Sequence, residues 1–177
     1  MTLTPKGAAR RDALLEAVIR LLESDGPSAV THRAVAREAG VPLAAATYYF
    51  ASIDDLLVSA MKRAVEQQSD MFAGLAHGDI AAFAQSIWSW VYESRAFAIS
   101  QYELMLLAMR RPSLRADADA WYSALEKALE PLGLPEGRAH TAAFAIDGLA
   151  LRMLWRGEPA TPEMTEIALR ELLDPHN

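Results

Sequence analysis

Arg33, Thr47 and Tyr48 are the side chains whose types and spacing best suit chemistry, and that chemistry is hydrogen bonding to a partner rather than bond making. They lie in the stretch Thr31–Phe50, which reads THRAVAREAGVPLAAATYYF. An arginine fork can donate to both O6 and N7 of a guanine, a pairing that discriminates bases by about 1–3 kcal/mol. Ala44, Ala45 and Ala46 would let a helix backbone approach base edges, where an alanine can touch a thymine methyl but cannot hydrogen-bond. Hydrogen-bonded readout would then fall mainly on Arg33, reaching in from the preceding helix, and on Thr47 or Tyr48. Leu43 suits either an exposed groove position or a packed one. Catalysis finds less support. The sequence has no cysteine, no glycine-rich phosphate loop, no G-x-S-x-G and no H-E-x-x-H. His32, His77, His140 and His176 are scattered singly, and none pairs at i, i+4 with another on an apolar face. No metal or other cofactor is predicted, and an enzyme is the less favoured alternative.

The elements that must position these side chains are two short helices around Ala39-Gly40-Val41. In the first, Val35, Ala36 and Ala39 share a face, and Thr31 can cap its start by accepting a backbone N–H. Gly40 can take a positive φ just past its end. Pro42 has no N–H to lose and suits the first turn of a second helix, over about Leu43–Tyr49. The spacing predicts a helix-turn-helix whose second helix enters a DNA major groove.

The flanking sequence is helical throughout. A first helix, from Pro5 or Lys6 to Ser24, has the stripe Leu14, Val18, Leu21, Leu22 and stops at Asp25-Gly26-Pro27. Its cluster Lys6, Arg10, Arg11 is either a solvated face or a phosphate contact. Ser52 starts a long helix to about Ala76, with Leu57, Met61, Ala64, Gln68, Met71 and Leu75 in one stripe before His77-Gly78-Asp79. Helices over about Ile80–Ser94 and Arg95–Arg110 are apolar around most of their circumference, as in a bundle interior. A seventh, Leu114–Leu132, turns Trp121, Leu125 and Leu129 inward. An eighth, Glu136–Arg156, carries two stripes: Ala142, Ile146, Leu149, Met153 and Phe144, Gly148, Leu151, Trp155. A ninth follows Gly157-Glu158-Pro159, capped by Thr161, with Met164, Ile167, Ala168 and Leu172 on one side. The fold class is all-α, about nine helices: a three-helix DNA-binding domain over 1–51 and a helical bundle over 52–177. The two-faced eighth helix beside a short last one predicts a homodimer through Ala142, Ile146, Leu149, Met153, Met164, Ile167, Ala168 and Leu172. Alternatively, the last helix covers the second stripe within one chain.

Charge agrees with this division. The net charge is −6, yet residues 1–50 hold six basic and five acidic side chains while 51–177 hold the acidic excess. DNA contact should therefore be confined to the N-terminal end. No apolar run reaches the roughly 18 residues of a membrane span, no apolar signal segment opens the sequence, and a cytoplasmic location is expected.

Thr31, Arg33, Val35, Ala36, Ala39-Gly40-Val41, Tyr48-Tyr49-Phe50, Ser52 and Leu56-Leu57 resemble the signature of the tetracycline-repressor-like (TetR) family of transcriptional regulators. The resemblance covers residues 6 to about 65; the remainder matches in helix count and in its two-helix end. It implies a homodimeric regulator on double-stranded DNA, with Thr31, His32, Thr47, Tyr48 and Tyr49 near phosphates or bases. Pro42 stands where the family usually has a capping Ser or Thr, Tyr49 at a frequent His, and Ile53 at a usual Lys. The resemblance also implies that the body senses a small molecule whose binding moves two reading heads off half-sites about 34–36 Å apart on a palindromic operator. Trp88, Tyr92, Phe97, Tyr102, Met105, Met109, Trp121 and Phe144 could line an apolar pocket, with Gln101, Glu103, His140 or Asp147 as polar anchors, although such stripes are more often plain core. A helical protein-interaction adaptor without ligand sensing is the other reading, and it would leave Thr31–Phe50 unexplained.

Overall fold

A computed structural model describes residues 4–72, 78–135, 137–156 and 161–174, with 67–71 described by backbone alone. Among these residues all regular structure is helical. The helices are α1 (Pro5–Asp25), α2 (His32–Glu38), α3 (Leu43–Tyr49), α4 (Ile53–Met71), α5 (Ile80–Tyr92), α6 (Arg95–Ala108), α7 (Arg115–Leu129), α8 (Arg138–Arg156) and α9 (Pro162–Leu173). Short 3-10 turns, each containing a proline, occupy Pro27–Ala29, Pro112–Leu114 and Glu130–Leu132.

Local sequence sets most boundaries. Thr4 Oγ1 accepts from the Gly7 N–H at 3.2 Å, with Pro5 at the first helical position. Asp79 accepts from Ala82 N–H at 2.9 Å and Thr161 from Met164 N–H at 3.3 Å. Ser52 and Asp55 cap α4 reciprocally, each backbone N–H donating to the other's side chain at 3.0 Å. Such caps contribute about 0.5–2 kcal/mol each. Pro42 differs from expectation: it is the N-cap of α3, with φ −59° and ψ 144°, not its first helical residue. Gln68 and Met71 as stripe residues, Leu75, the stop at His77, Glu136, Gly157-Glu158-Pro159 and His176 fall outside the described residues or side chains.

The chain divides into two compact units. The first comprises 1–64 and 99–118, so it takes in the start of α4 and most of α6 besides α1 to α3. Its core includes Leu14, Val18, Val35, Ala46, Phe50, Leu56, Leu57, Met61, Leu104 and Leu114, all at most 2% exposed. Here α6 departs from the interior position expected of it. Ile99 and Leu106 are 39% and 59% exposed, and Met109 just past its end 72%, because its buried residues, Ala98, Ser100, Gln101, Leu104, Met105 and Ala108, cover only one side.

The second unit comprises 65–98 and 119–177. Within it α5 packs on α8 and α9, and α8 on α9. Phe83, Ala84, Ile87 and Val91 of α5, Trp121, Leu125 and Leu129 of α7, and Leu169 and Leu173 of α9 are buried. The stripe expected to meet a second copy through α8 is spent here instead. Ala142, Ile146 and Met153 are buried within the chain and Leu149 is half-buried. The opposite stripe stays open at Phe144, Leu151 and Trp155, and so do Met164 and Ile167 on α9.

Candidate nucleic-acid interface

Thr31 Oγ1 accepts the Ala34 N–H at 3.1 Å and starts α2 as the sequence implied. The helix ends in a Schellman closure. Val41 N–H donates to Ala36 C=O at 2.9 Å and Gly40 N–H to Arg37 C=O at 3.2 Å, with Gly40 at φ +66°. This turn aims α3 across α2, and both pack into the first unit's core: α2 contacts α1 and α3, and Val35, Ala36 and Ala46 are buried.

Three further contacts tie α1, α2 and the end of α3 together. His32 Nε2 lies 2.8 Å from the Phe50 carbonyl. A carbonyl only accepts, so Nε2 carries the proton, and the ring joins the start of α2 to the end of α3. Phe50 is buried, and the Arg11 guanidinium sits 5.2 Å from its ring centre while donating to Ser59 Oγ at 3.5 Å. Arg20 pairs with Glu38 at 2.7 Å, tying α1 to α2. Arg11 is thus an internal tie rather than a member of a free basic cluster, whereas Lys6 and Arg10 remain exposed.

The residues singled out by sequence divide by face. Leu43 (45% exposed) and Tyr48 (67%) project outward with Ala44 and Thr47. Ala46 is fully buried, so it cannot face a groove, and Ala45 is half-buried. Tyr49 is half-buried and meets the Tyr48 ring edge-on at 5.0 Å between centroids. The Thr47 hydroxyl donates back to the carbonyls of Leu43 (3.3 Å) and Ala44 (3.2 Å). Thr31 and Arg33 are exposed, and Arg37, unmarked by the sequence reading, is exposed on the same helix.

Sequence reasoning missed one network in this unit altogether. Asp54, in the first turn of α4, binds Arg111 and accepts from Ser113 Oγ at 2.7 Å. The Ser113 hydrogen bond first, and Arg111 second, hold the Asp54 carboxyl below its ordinary value. The partners lie 57 and 59 residues apart, a separation that no local pattern encodes.

The candidate ligand residues fall in both units. Tyr102, Met105 and Met109 belong to the first; Trp88, Tyr92, Trp121, Phe144 and Asp147 to the second. Met109 (72% exposed) and Phe144 (54% exposed) are surface residues. In the second unit Trp88 and Tyr92 stand 5.6 Å apart, and Trp90 lies 6.3 Å from the buried Trp121. Burial, then the Asp147 charge, raise the pKa of the Tyr122 hydroxyl above its ordinary 10.0. His140 Nδ1 meets Glu126 at 2.7 Å and its ring packs 4.2 Å from Phe144. A cavity of about 190 Å3 between α8 and α9 is lined by Arg138, Thr141, Ala142, Ala145, Glu171 and Leu172, none of them a candidate ligand residue. Among the described residues no group of three His, Asp or Glu could hold a metal ion, and no helix is long and apolar enough to cross a membrane.

Two family descriptions match this chain: bacterial regulatory proteins, tetR family, over residues 14–60, and tetracyclin repressor-like, C-terminal domain, over 76–175. The chain is 24% identical over 151 residues to the nicotine-responsive transcriptional repressor HdnoR of Paenarthrobacter nicotinovorans, covering 82% of this chain and 78% of that one. Among solved structures, the multidrug binding protein EbrR complexed with ethidium is 31% identical with a TM-score of 0.78, covering 92% of this chain and 98% of that one. EbrR is also seen with imidazole, proflavin and malachite green. A TetR-family member from Streptomyces coelicolor is likewise 31% identical, with a TM-score of 0.82 over 92% of this chain and 97% of that one.

Proposed function

From the premise that this chain belongs to the tetR family of bacterial regulatory proteins, we infer that it is a sequence-specific DNA-binding transcriptional regulator. The observation that carries the reading is the helix-turn-helix itself: a glycine-closed turn, a buried Ala46–Phe50 side and an outward face of Leu43, Ala44, Thr47 and Tyr48. We assign the reading head to residues 1–51 and sensing and dimerisation to 52–177. In the head, Leu43, Ala44, Thr47 and Tyr48 meet bases, with Ala45 and Tyr49 at the margin. Arg33 reaches a guanine, Thr31 lies at the phosphates, and His32 positions α3 rather than touching DNA. Selection of bound sites from random duplexes tests this. A palindrome with half-sites one helical turn apart is expected; retention of no duplex at low salt contradicts the reading.

The protein acts as a repressor that leaves its operator when a small molecule binds. HdnoR responds to nicotine and EbrR binds ethidium, proflavin, malachite green and imidazole, all aromatic nitrogen compounds. That chemistry narrows the apolar ligand expected from sequence to an aromatic amine or cation. Trp88, Tyr92, Trp121 and Asp147 of the second unit suit it, since indole and phenol faces attract cations and a carboxylate neutralises them. Malachite green and nicotine are the probes. Either should raise the thermal midpoint and release DNA in a mobility-shift assay; Asp147→Asn should weaken that response. No shift with either probe argues against this effector class. As a regulator of DNA the protein is placed in the cytoplasm and acts as a homodimer, through the exposed stripe Phe144, Leu151, Trp155, Met164 and Ile167.

A further inference from the structure

The outward face of α3 is short of hydrogen-bonding groups. Leu43, Ala44, Thr47 and Tyr48, at i, i+1, i+4 and i+5, form one strip, while Ala46 and Phe50 fill the core behind it. Within that strip the Thr47 hydroxyl is already donated to the Leu43 and Ala44 carbonyls. With its hydrogen committed to the helix, the side chain offers a base its γ-methyl and an acceptor-only oxygen, which cannot bond the thymine O4. The strip thus presents an isobutyl group, a methyl, a second methyl and an aromatic ring, with the Tyr48 hydroxyl as its one hydrogen-bond donor not tied to the helix.

We propose that α3 reads sequence chiefly through the 5-methyl groups of thymine in the major groove. Thymine is the one natural base with an apolar group on that edge, and aliphatic and aromatic side chains are its complement. Arg33 and Arg37 on α2 and Lys6 and Arg10 on α1 are exposed and supply the cationic surround that an apolar strip lacks. On α3, Leu43, Ala44 and Thr47 are the specificity-determining residues, beside the guanine contact of Arg33 on α2, and each contacted thymine is identified by its methyl rather than by its O4. The inference rests on the reading that α3 enters the major groove.

The experiment separates the two. The full chain is first used to select duplexes from a random pool; the selected operator is then remade with deoxyuridine for thymine, position by position. Uracil keeps every hydrogen-bonding group of thymine and lacks only the methyl. Burying a methyl contributes enough for about a fourfold change in affinity, so each contacted thymine should show a loss of about that size. Thr47→Ser keeps the hydroxyl tied to the helix and removes the methyl, and should erase the uracil penalty at one position per half-site. Leu43→Ala, at a side chain nearly half exposed, should do so at another and gives the same readout should Thr47→Ser fray α3. Half-sites without thymine, equal affinity for thymine and uracil duplexes, or a uracil penalty unchanged in both variants would overturn methyl readout while leaving DNA binding intact. Retention of no duplex would instead overturn the parent reading.

Discussion

His32 and Arg33 are adjacent, yet their side chains have different work. His32 is half-buried and its Nε2–H is committed to the Phe50 carbonyl at 2.8 Å; Arg33 is exposed. Replacing His32 by Ala should therefore lower stability in the absence of DNA, by about 1–2 kcal/mol for a part-buried carbonyl left unpaired, measured by denaturant unfolding. Replacing Arg33 by Ala should leave unfolding unchanged, weaken operator binding by about 1–3 kcal/mol and relax preference at one base position, measured by mobility shift on an operator series. Equal losses of stability in both variants would contradict this division. Sequence could not separate the two, because both are polar residues in the first turn of one helix. What distinguishes them is an acceptor 18 residues further on, which only the packing of α3 against α2 brings within reach.

At the scale of elements, local signals were legible wherever short-range chemistry decides. Thr31, Gly40, Ser52 and Thr161 each cap or close the helix that sequence assigned to them. Gly40 gives a clean test, because a Cβ there would meet nothing within 4 Å. Only the positive φ would be strained, so Gly40→Ala should cost about 1–2 kcal/mol, read as a lower thermal midpoint. No change would show that the α2–α3 turn can relax. Long-range signals were not legible. The Asp54 tie to Ser113 and Arg111 joins α4 to the turn before α7, and its chemistry gives it a pH signature. A carboxyl held below its ordinary value of 3.8 adds stability above that value and loses it as pH falls through the lowered one. Acid unfolding should therefore be less steep in Asp54→Asn than in the parent below about pH 4, while at neutral pH the variant should be the less stable of the two. Superimposable acid profiles would remove Asp54 from the account.

For the whole molecule the deciding question was which apolar stripe of α8 faces outward, and periodicity could not answer it. Both stripes have helical spacing; they differ only in what α5 and α9 cover. Packing buries Ala142, Ile146 and Met153 and leaves Phe144, Leu151 and Trp155 at 54%, 48% and 83% exposure, with Met164 and Ile167 both at 60%. Five large apolar side chains open on two adjacent helices are more than scattered surface residues, and burial against a second copy would remove them from water. A charge at such a face costs little in a lone chain, where water reaches it, and much in a dimer, where it does not. The double variant Trp155→Glu, Ile167→Glu should therefore keep the parent's helical content, lose the concentration dependence of a dimer's unfolding midpoint, and sediment as a monomer. Its affinity for a single half-site should be unchanged. Its affinity for the full palindrome should fall to near that of the half-site, because linking two heads makes the second contact intramolecular and raises avidity by about 10²–10⁴. A dimer that persists in this variant would place the partner face elsewhere. A monomer that still binds the palindrome as tightly as the parent would mean that the second head adds nothing, and the two-fold operator would lose its physical basis.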